Sequence, residues 1–393
     1  MDTRHSYRPR RADMYLAFRD IVFAKGRFAL IGGVVALITL LLVLLTGLTD
    51  GLGRQNTSAL ENLGASHIVF AAPDDDGDEP SFTESVITAD ELRAWNNAVS
   101  GPRAERLGVT QTRAEAAGTG GGSNGPAASV AVMGLETGTA LAPSLESIDG
   151  RTHPLAGQAV LSEEAAADLA VSLGDTIHLS STELDVVGIV GDEYYSHLPV
   201  AWTSIDDFAG IAHLGDGLEA TALAIPADRI ADSAGPPTED TLASADAAAG
   251  TVSKDTRTAF SALPAYQSER GSLLMMQAFL YGISALVVVS FLTVWTIQRT
   301  RDLAVLRALG SSRGYLVRDS MTQAAFVVLL GAAAGGAAGA AGGAAVGSAV
   351  PFALTPMTIL TPVLGVFVLG LIGAALATRR VTRIDPLLAL GGN

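Results

Sequence analysis

FALIGGVVALITLLLVLLTGLT, residues 28–49, is a 22-residue run without a single Asp, Glu, Lys or Arg. Two more such runs follow, Gly271–Gln298 and Ser320–Thr378. A bilayer core about 30 Å thick takes roughly 20 apolar residues of helix, and inside it every backbone N–H and C=O must bond within the segment. The first two runs fit one crossing each. The third is 59 residues long and is interrupted by Pro351, Pro356 and Pro362, so it reads as two helices, because proline lacks the N–H that a helix interior uses. The expected fold is an α-helical membrane protein with four transmembrane helices, 28–49, 271–298, 320–349 and 357–378, and a large domain between the first two.

The charges sort around these runs. Residues 1–27, 299–319 and 379–393 hold 15 of the 25 Lys and Arg but only 6 of the 40 Asp and Glu. Residues 50–270 hold the other 10 basic and 34 acidic side chains, so a net charge of −15 is +9 on short segments and −24 on one block. Lys and Arg beside spans are retained in the cytoplasm. Both termini are therefore expected inside: 1–27 as an amphipathic segment, 299–319 as a loop, 379–393 as a tail. Residues 50–270 are expected outside. The first run is longer than the apolar stretch of a signal peptide and no small-x-small site follows it, so it is read as a retained span. The chain has no cysteine, which excludes disulfides and thiolate sites.

The external block reads as α+β. Gly51–Gly64 continues the first helix as a stalk, and a strand follows at His67–Phe70. Asp74-Asp75-Asp76-Gly77-Asp78-Glu79 lacks the spacing of a calcium loop and reads as a solvated turn. Thr88-Ala89-Asp90-Glu91 is a capping box opening a helix to about Val99. Gly118–Pro126 is a small-residue loop. Beyond it come a strand at Ala159–Leu161, a helix at Ser162–Ala170 with Ser162 as its cap, and a turn at Gly174-Asp175. Strands at Thr176–Leu179 and Leu184–Val190 and a helix at Glu239–Gly250 complete the pattern. No catalytic constellation emerges: the six histidines show no ligand spacing, and His197 beside Tyr194 and Tyr195 reads as a turn cluster, with metal or ligand binding as the alternative. No phosphate-binding G-x-x-x-x-G-K-[ST] loop occurs, so the chain does not hydrolyse ATP by itself. Nothing points to nucleic acid.

In the third span Gly331, Gly335, Gly339, Gly343 and Gly347 recur every four residues. That strip of bare backbone predicts a helix-packing face. In the cytoplasmic loop between the second and third spans Leu303, Leu306 and Leu309 share a face of a short helix that Gly310 can end, a docking element or an interfacial helix on lipid.

Three motifs carry a family resemblance. RTRDLAVLRALGSSRGYLVRDSM (299–321) resembles the cytoplasmic signature of FtsX/MacB-type ABC permeases, RVTRIDPLLAL (380–390) their closing motif, and GDTIHL…LDVVGIVGD (174–192) their external hairpin. Asp302 stands where that family usually has Glu. The resemblance implies a bacterial plasma-membrane permease that forms a homodimer, binds two copies of a separate ATPase that holds the ATP, and works by mechanotransmission. Arg301, Asp302, Leu306, Arg307 and Gly310 are its implied coupling element.

Met14–Leu63 looks most like the haem-efflux members of that family. No cofactor of its own is expected; haem is the expected substrate. Iron takes Tyr, His, Met or carboxylate ligands. At the outer span ends the candidates are Glu61, Met275, Met276 and Tyr281, with Phe279 to stack. Each has a plainer role as a lipid-facing, core, interface-belt or stalk residue. The alternatives are export of a hydrophobic antibiotic or peptide, and regulation of a cell-wall hydrolase without transport.

Overall fold

The computed structural model of the chain describes residues 25–73, 79–99, 103–118, 125–141, 147–227, 237–263, 266–298, 313–347 and 350–381. It divides into two compact units, Met1–Gly51 with Gly271–Asn393, and Leu52–Arg270. The acidic loop at 74–78, most of the small-residue loop at 118–126 and the segment 299–312 lie outside the described residues.

Among the described residues four helices are long and apolar enough to cross a membrane: Lys25–Glu61, Tyr266–Gln298, Arg313–Val346 and Pro356–Val381. The first has 37 residues, about 55 Å at 1.5 Å per residue, so it outruns the hydrocarbon core and continues as the expected stalk. The third begins at Arg313, before the charge-free run, and takes Arg318 and Asp319 into its early turns. Of the three prolines, Pro362 does not break the chain and lies inside the fourth helix. Membrane helices tolerate such a proline because neighbouring groups and local adjustment of the turn re-satisfy the carbonyl that loses its partner. Pro356 instead opens that helix, where a missing N–H costs nothing. Thr355 and Thr358 close its start reciprocally: Thr358 Oγ1 accepts from the Thr355 N–H at 3.0 Å, and Thr355 Oγ1 from the Thr358 N–H at 3.3 Å.

The glycine strip packs on the first helix. A Cβ on Gly331 would stand 2.8 Å from the carbonyl oxygen of Gly32, one on Gly339 2.8 Å from Val43 Cβ, and one on Gly335 would strike the carbonyl oxygen of Ala36. Gly343 faces the ring of Phe352, which is wedged against Gly47 as well, while the Ala353 N–H donates to the Gly47 carbonyl at 3.0 Å. Gly347 does not join the strip, since the helix ends at Val346. Around the contact, Ile31, Val35, Leu42, Val288, Val328 and Val366 form the core of the bundle. Lipid tails are as apolar as these side chains, so close packing rather than water exclusion holds the helices together.

Beside a separate two-stranded sheet of Ile87–Thr88 and Leu218–Ala220, the unit Leu52–Arg270 is built on one large sheet. Its strands lie in the order Thr251–Asp255, Ala65–Ala71, Ala222–Pro226, Glu105–Ala116, Ala127–Leu135, Leu198–Ser204, Gln158–Ser162, Thr182–Val190, Ser147–Gly150. The hairpin strand Thr176–Leu179 pairs with both Thr182–Val190 and Glu105–Ala116. Successive side chains of Ala127–Leu135 feed opposite cores. Ala131, Met133 and Leu135 join Leu60, Leu63, Phe70 and Trp202, whereas Val130 and Val132 join Leu161, Leu169 and Phe208. Gly108 and Gly134 pair across two strands and leave the slot that the buried Phe208 ring fills. In the 174–192 motif Gly174 adopts φ +90°, and Gly188 has no room for a side chain because the backbone of Arg151 lies against it.

The capping box at Thr88 and Glu91 is present with both reciprocal bonds. Ser162 differs from its expected role: it precedes the helix Glu163–Leu169 but makes no capping bond, and its Oγ accepts from the Val200 N–H at 3.2 Å instead. An unpaired strand amide inside the domain is costlier than one at an exposed helix start, which is the physical reason for the switch.

Gly335→Ala and Gly342→Ala form a matched pair, since the nearest atom to a Cβ on Gly342 is 3.7 Å away. Gly335→Ala is expected to lower the melting temperature of the detergent-purified protein, by about 1–3 kcal/mol of overpacking, and Gly342→Ala to leave it unchanged or higher. Equal melting of the two variants would contradict this packing.

Candidate functional site

The coupling residues Arg301, Asp302, Leu306, Arg307 and Gly310 lie outside the described residues. The others have defined places. Met275, Met276 and Phe279 are 62 %, 51 % and 66 % exposed on the second helix and share one side of it, as the spacing i, i+1, i+4 requires. Tyr281 does not join them. It lies on the opposite side, packed into the bundle with its ring against Gly365 of the fourth helix. Glu61 is the exposed last residue of the first helix.

A second group of polar residues gathers around the turn of Tyr194, Tyr195 and His197. The segment 193–197 lies along the stalk, within Leu52–Arg270, as an antiparallel strap. The His197 N–H donates to the Gln55 carbonyl at 2.8 Å and the Ser196 N–H to the Asn56 carbonyl at 3.1 Å. The Tyr194 N–H donates to Ser58 Oγ at 2.8 Å. To make these contacts Ser196 and His197 take φ of +51° and +66°, left-handed values that cost a side-chain-bearing residue of order 1–2 kcal/mol each. The strap ends where His197 Nε2 lies 3.1 Å from Glu269 Oε2, at the start of the second helix, and Asn56 Nδ2 donates to the same oxygen at 3.0 Å.

At the strap's other end Glu193 is fully buried, and neither carboxyl oxygen has a hydrogen bond of good geometry. Burial pushes its pKa up to about 8, with the Asn62 amide drawing it back in part. A carboxyl in such a place is neutral at pH 7. Tyr194 is raised by burial and by its hydrogen bond to Glu164, and Tyr195 by burial alone. None of these groups faces a nucleophile and base arranged for catalysis. Among the described residues no group of three His, Cys, Asp or Glu could hold a metal ion.

Comparison with known proteins places this architecture. A family model described as MacB-like periplasmic core domain matches residues 29–233, and one described as FtsX-like permease C-terminal matches residues 274–386. The chain belongs to the FtsX/MacB-type ABC transporter permeases. The permease is 23 % identical over 381 residues to a protein of Staphylococcus haemolyticus named as hemin transport system permease protein HrtB, covering 96 % of this chain and 99 % of that one. A Staphylococcus epidermidis protein of the same name is 24 % identical over the same shares. An uncharacterized ABC transporter permease of Mycobacterium tuberculosis is 30 % identical over 129 residues, 31 % of this chain and 34 % of that one. Among solved structures, the periplasmic region of MacB from Actinobacillus actinomycetemcomitans aligns at 13 % identity and a TM-score of 0.34, over 51 % of this chain and 92 % of that one. The permease is thus a multi-pass membrane protein whose α+β domain, rich in strands, is of the MacB-like periplasmic type.

The raised pKa of Glu193 sets a pH dependence. Its native carboxyl holds the proton between the ordinary value of 4.5 and about 8, so its stabilising contribution is full below that ordinary value and is lost as pH rises through about 8. Wild-type permease in detergent is expected to melt lower at pH 9 than at pH 6, by on the order of a few kcal/mol, and Glu193→Gln to flatten the difference. Parallel pH profiles would contradict the burial of an acid at this position.

Proposed function

We propose that the permease is the membrane subunit of an ABC efflux pump that exports haem from the membrane, driven by mechanotransmission from a separate ATPase. The observation that carries this reading is end-to-end likeness to proteins named as hemin transport permeases, at 96 % of this chain and 99 % of theirs. The second helix supports it. Two thioethers and an aromatic ring stand exposed on one side of a span at Met275, Met276 and Phe279, and haem is flat, apolar in its body and open to axial sulfur ligands. Tyr281 takes a packing role instead. Glu61 is the carboxylate candidate, to be tested separately.

In this reading the basic segments lie in the cytoplasm, and the acidic domain lies outside, in keeping with retention of Lys and Arg. Two permease copies pair, and each receives an ATPase on the loop of Arg301, Asp302, Leu306, Arg307 and Gly310. ATP binds and is hydrolysed in the partner. Closure of the two ATPases moves the loop, the loop moves the spans, and the long first helix carries that movement to the external domain.

Haemin added to the purified permease is expected to give a Soret band that Met275→Ala, Met276→Ala or Phe279→Ala weakens or shifts and Tyr281→Phe leaves in place. Glu61→Ala reports whether the carboxylate takes part. The haem reading fails if no band forms and deletion of the gene leaves haemin tolerance unchanged, which would favour an antibiotic, a peptide or a cell-wall regulator role. Leu306→Asp is expected to abolish co-purification of the ATPase while leaving membrane insertion intact. Normal co-purification would refute the coupling role.

A further inference from the structure

Three polar atoms meet at the end of the strap in a nearly equilateral triangle. Asn56 Nδ2 is 3.1 Å from His197 Nε2 and 3.0 Å from Glu269 Oε2, and His197 Nε2 is 3.1 Å from that same oxygen. Glu269 Oε1 is 3.3 Å from the imidazole nitrogen.

While the Glu269 carboxylate is ionised, no arrangement of protons satisfies all three edges. If Nε2 carries its hydrogen, it donates to Glu269, and the contact with the Asn56 amine sets donor against donor. If Nε2 is bare, it accepts from Asn56, and its contact with the carboxylate sets acceptor against acceptor. Turning the Asn56 amide over, an assignment that hydrogen-bond networks decide, brings Oδ1 into the triangle, sets it against the carboxylate and gives up the bond that Nδ2 donates to the Leu52 carbonyl at 3.4 Å. With the carboxylate ionised, one edge is repulsive in each of these arrangements. The residue that bears this conflict is 2 % exposed, and its Oδ1 has no partner.

A cation removes the conflict. With the amide turned, the three apices become an imidazole nitrogen, a carboxylate oxygen and an amide oxygen, all lone-pair donors facing one point. Adjacent ligands about 2.1 Å from a divalent ion in octahedral geometry lie about 3.0 Å apart, and in tetrahedral geometry about 3.4 Å apart. The triangle's edges fall at the octahedral end of that range. The His197 and Glu269 side chains are 32 % and 39 % exposed, so the remaining positions are open to water and the ion has a way in. His197 is held there by left-handed backbone at Ser196 and His197, strain of the kind that collects at binding sites.

The geometry points to a divalent transition-metal site formed by Asn56, His197 and Glu269 on the external domain, with water completing the shell. A mixed imidazole and oxygen set suits zinc or manganese. With one amide among three protein donors it is a reversible site rather than a closed structural one. The metal would join the stalk, the strap and the first turn of the second helix.

The test is calorimetric titration of the full-length, metal-stripped permease in detergent with zinc chloride, and separately with manganese chloride. One saturable site is expected, weakened at least about tenfold by His197→Ala and by Glu269→Gln, since loss of one ligand typically costs that much or more. His213→Ala should leave it unchanged. Because His197→Ala could also disturb the strap, cobalt(II) supplies a second readout: wild type is expected to shift and intensify the visible absorption of aqueous cobalt(II), and Glu269→Gln to abolish that change. Absence of binding by the wild type, or binding that survives both His197→Ala and Glu269→Gln, would overturn the proposal and leave the triangle as a strained ion pair.

Discussion

The bilayer interior offers no water to a peptide group, and most features of this chain follow from that constraint. Each of the four long helices closes its own hydrogen bonds, apart from the one that Pro362 removes, and carries no charge through its apolar run. The same constraint explains how the third helix survives its composition. In water a glycine in a helix costs about 1 kcal/mol relative to alanine, largely because the unfolded chain is freer and well solvated. In lipid the unfolded backbone has no such alternative, so Gly331, Gly335 and Gly339 can serve packing. They let the first and third helices approach until Gly335 lies against the backbone carbonyl of Ala36.

Where a rule of composition applied, the fold was legible. The spans, the stalk, the Thr88 capping box and the 174–192 hairpin each rest on a local signal, of apolar length, of side chains matched to helix ends, or of glycine at a tight turn. The middle of the sheet was not legible. Ala127–Leu135 is buried on both faces and small in composition, so it shows no alternation and continues the look of the glycine-rich loop before it. Glu105–Ala116 is polar enough along much of its length to pass for a surface segment, and Leu198–Ser204 follows a turn with no regular period. Tertiary context decides these strands, as it often does for buried ones.

The candidate sites divide in the same way. The Met275, Met276 and Phe279 face could be read from helical spacing, because three or four residues make a turn whatever surrounds them. Tyr281 could not be placed so easily, because its exclusion from that face depends on Gly365 of another helix giving its ring room. The strap was hidden altogether: Asn56, His197 and Glu269 are far apart in sequence, and only the fold brings them within 3.1 Å. His197 stood out solely through its neighbours Tyr194 and Tyr195. Glu193 gave no sign of burial, since a Gly-Asp-Glu-Tyr run resembles an exposed turn.

In the proposed function the sorted charges join these parts into one directional machine, with a basic face for an ATPase inside and an acidic strand-rich domain outside. Because the chain has no cysteine, its sidedness can be read directly with single introduced thiols. Asp216→Cys, in an exposed loop of the external domain, and Ser311→Cys, in the basic loop, should be treated on intact cells with a membrane-impermeant maleimide. The predicted result is labelling of Asp216→Cys at once and of Ser311→Cys only after the membrane is permeabilised; the reverse pattern would contradict the orientation on which the whole proposed mechanism rests.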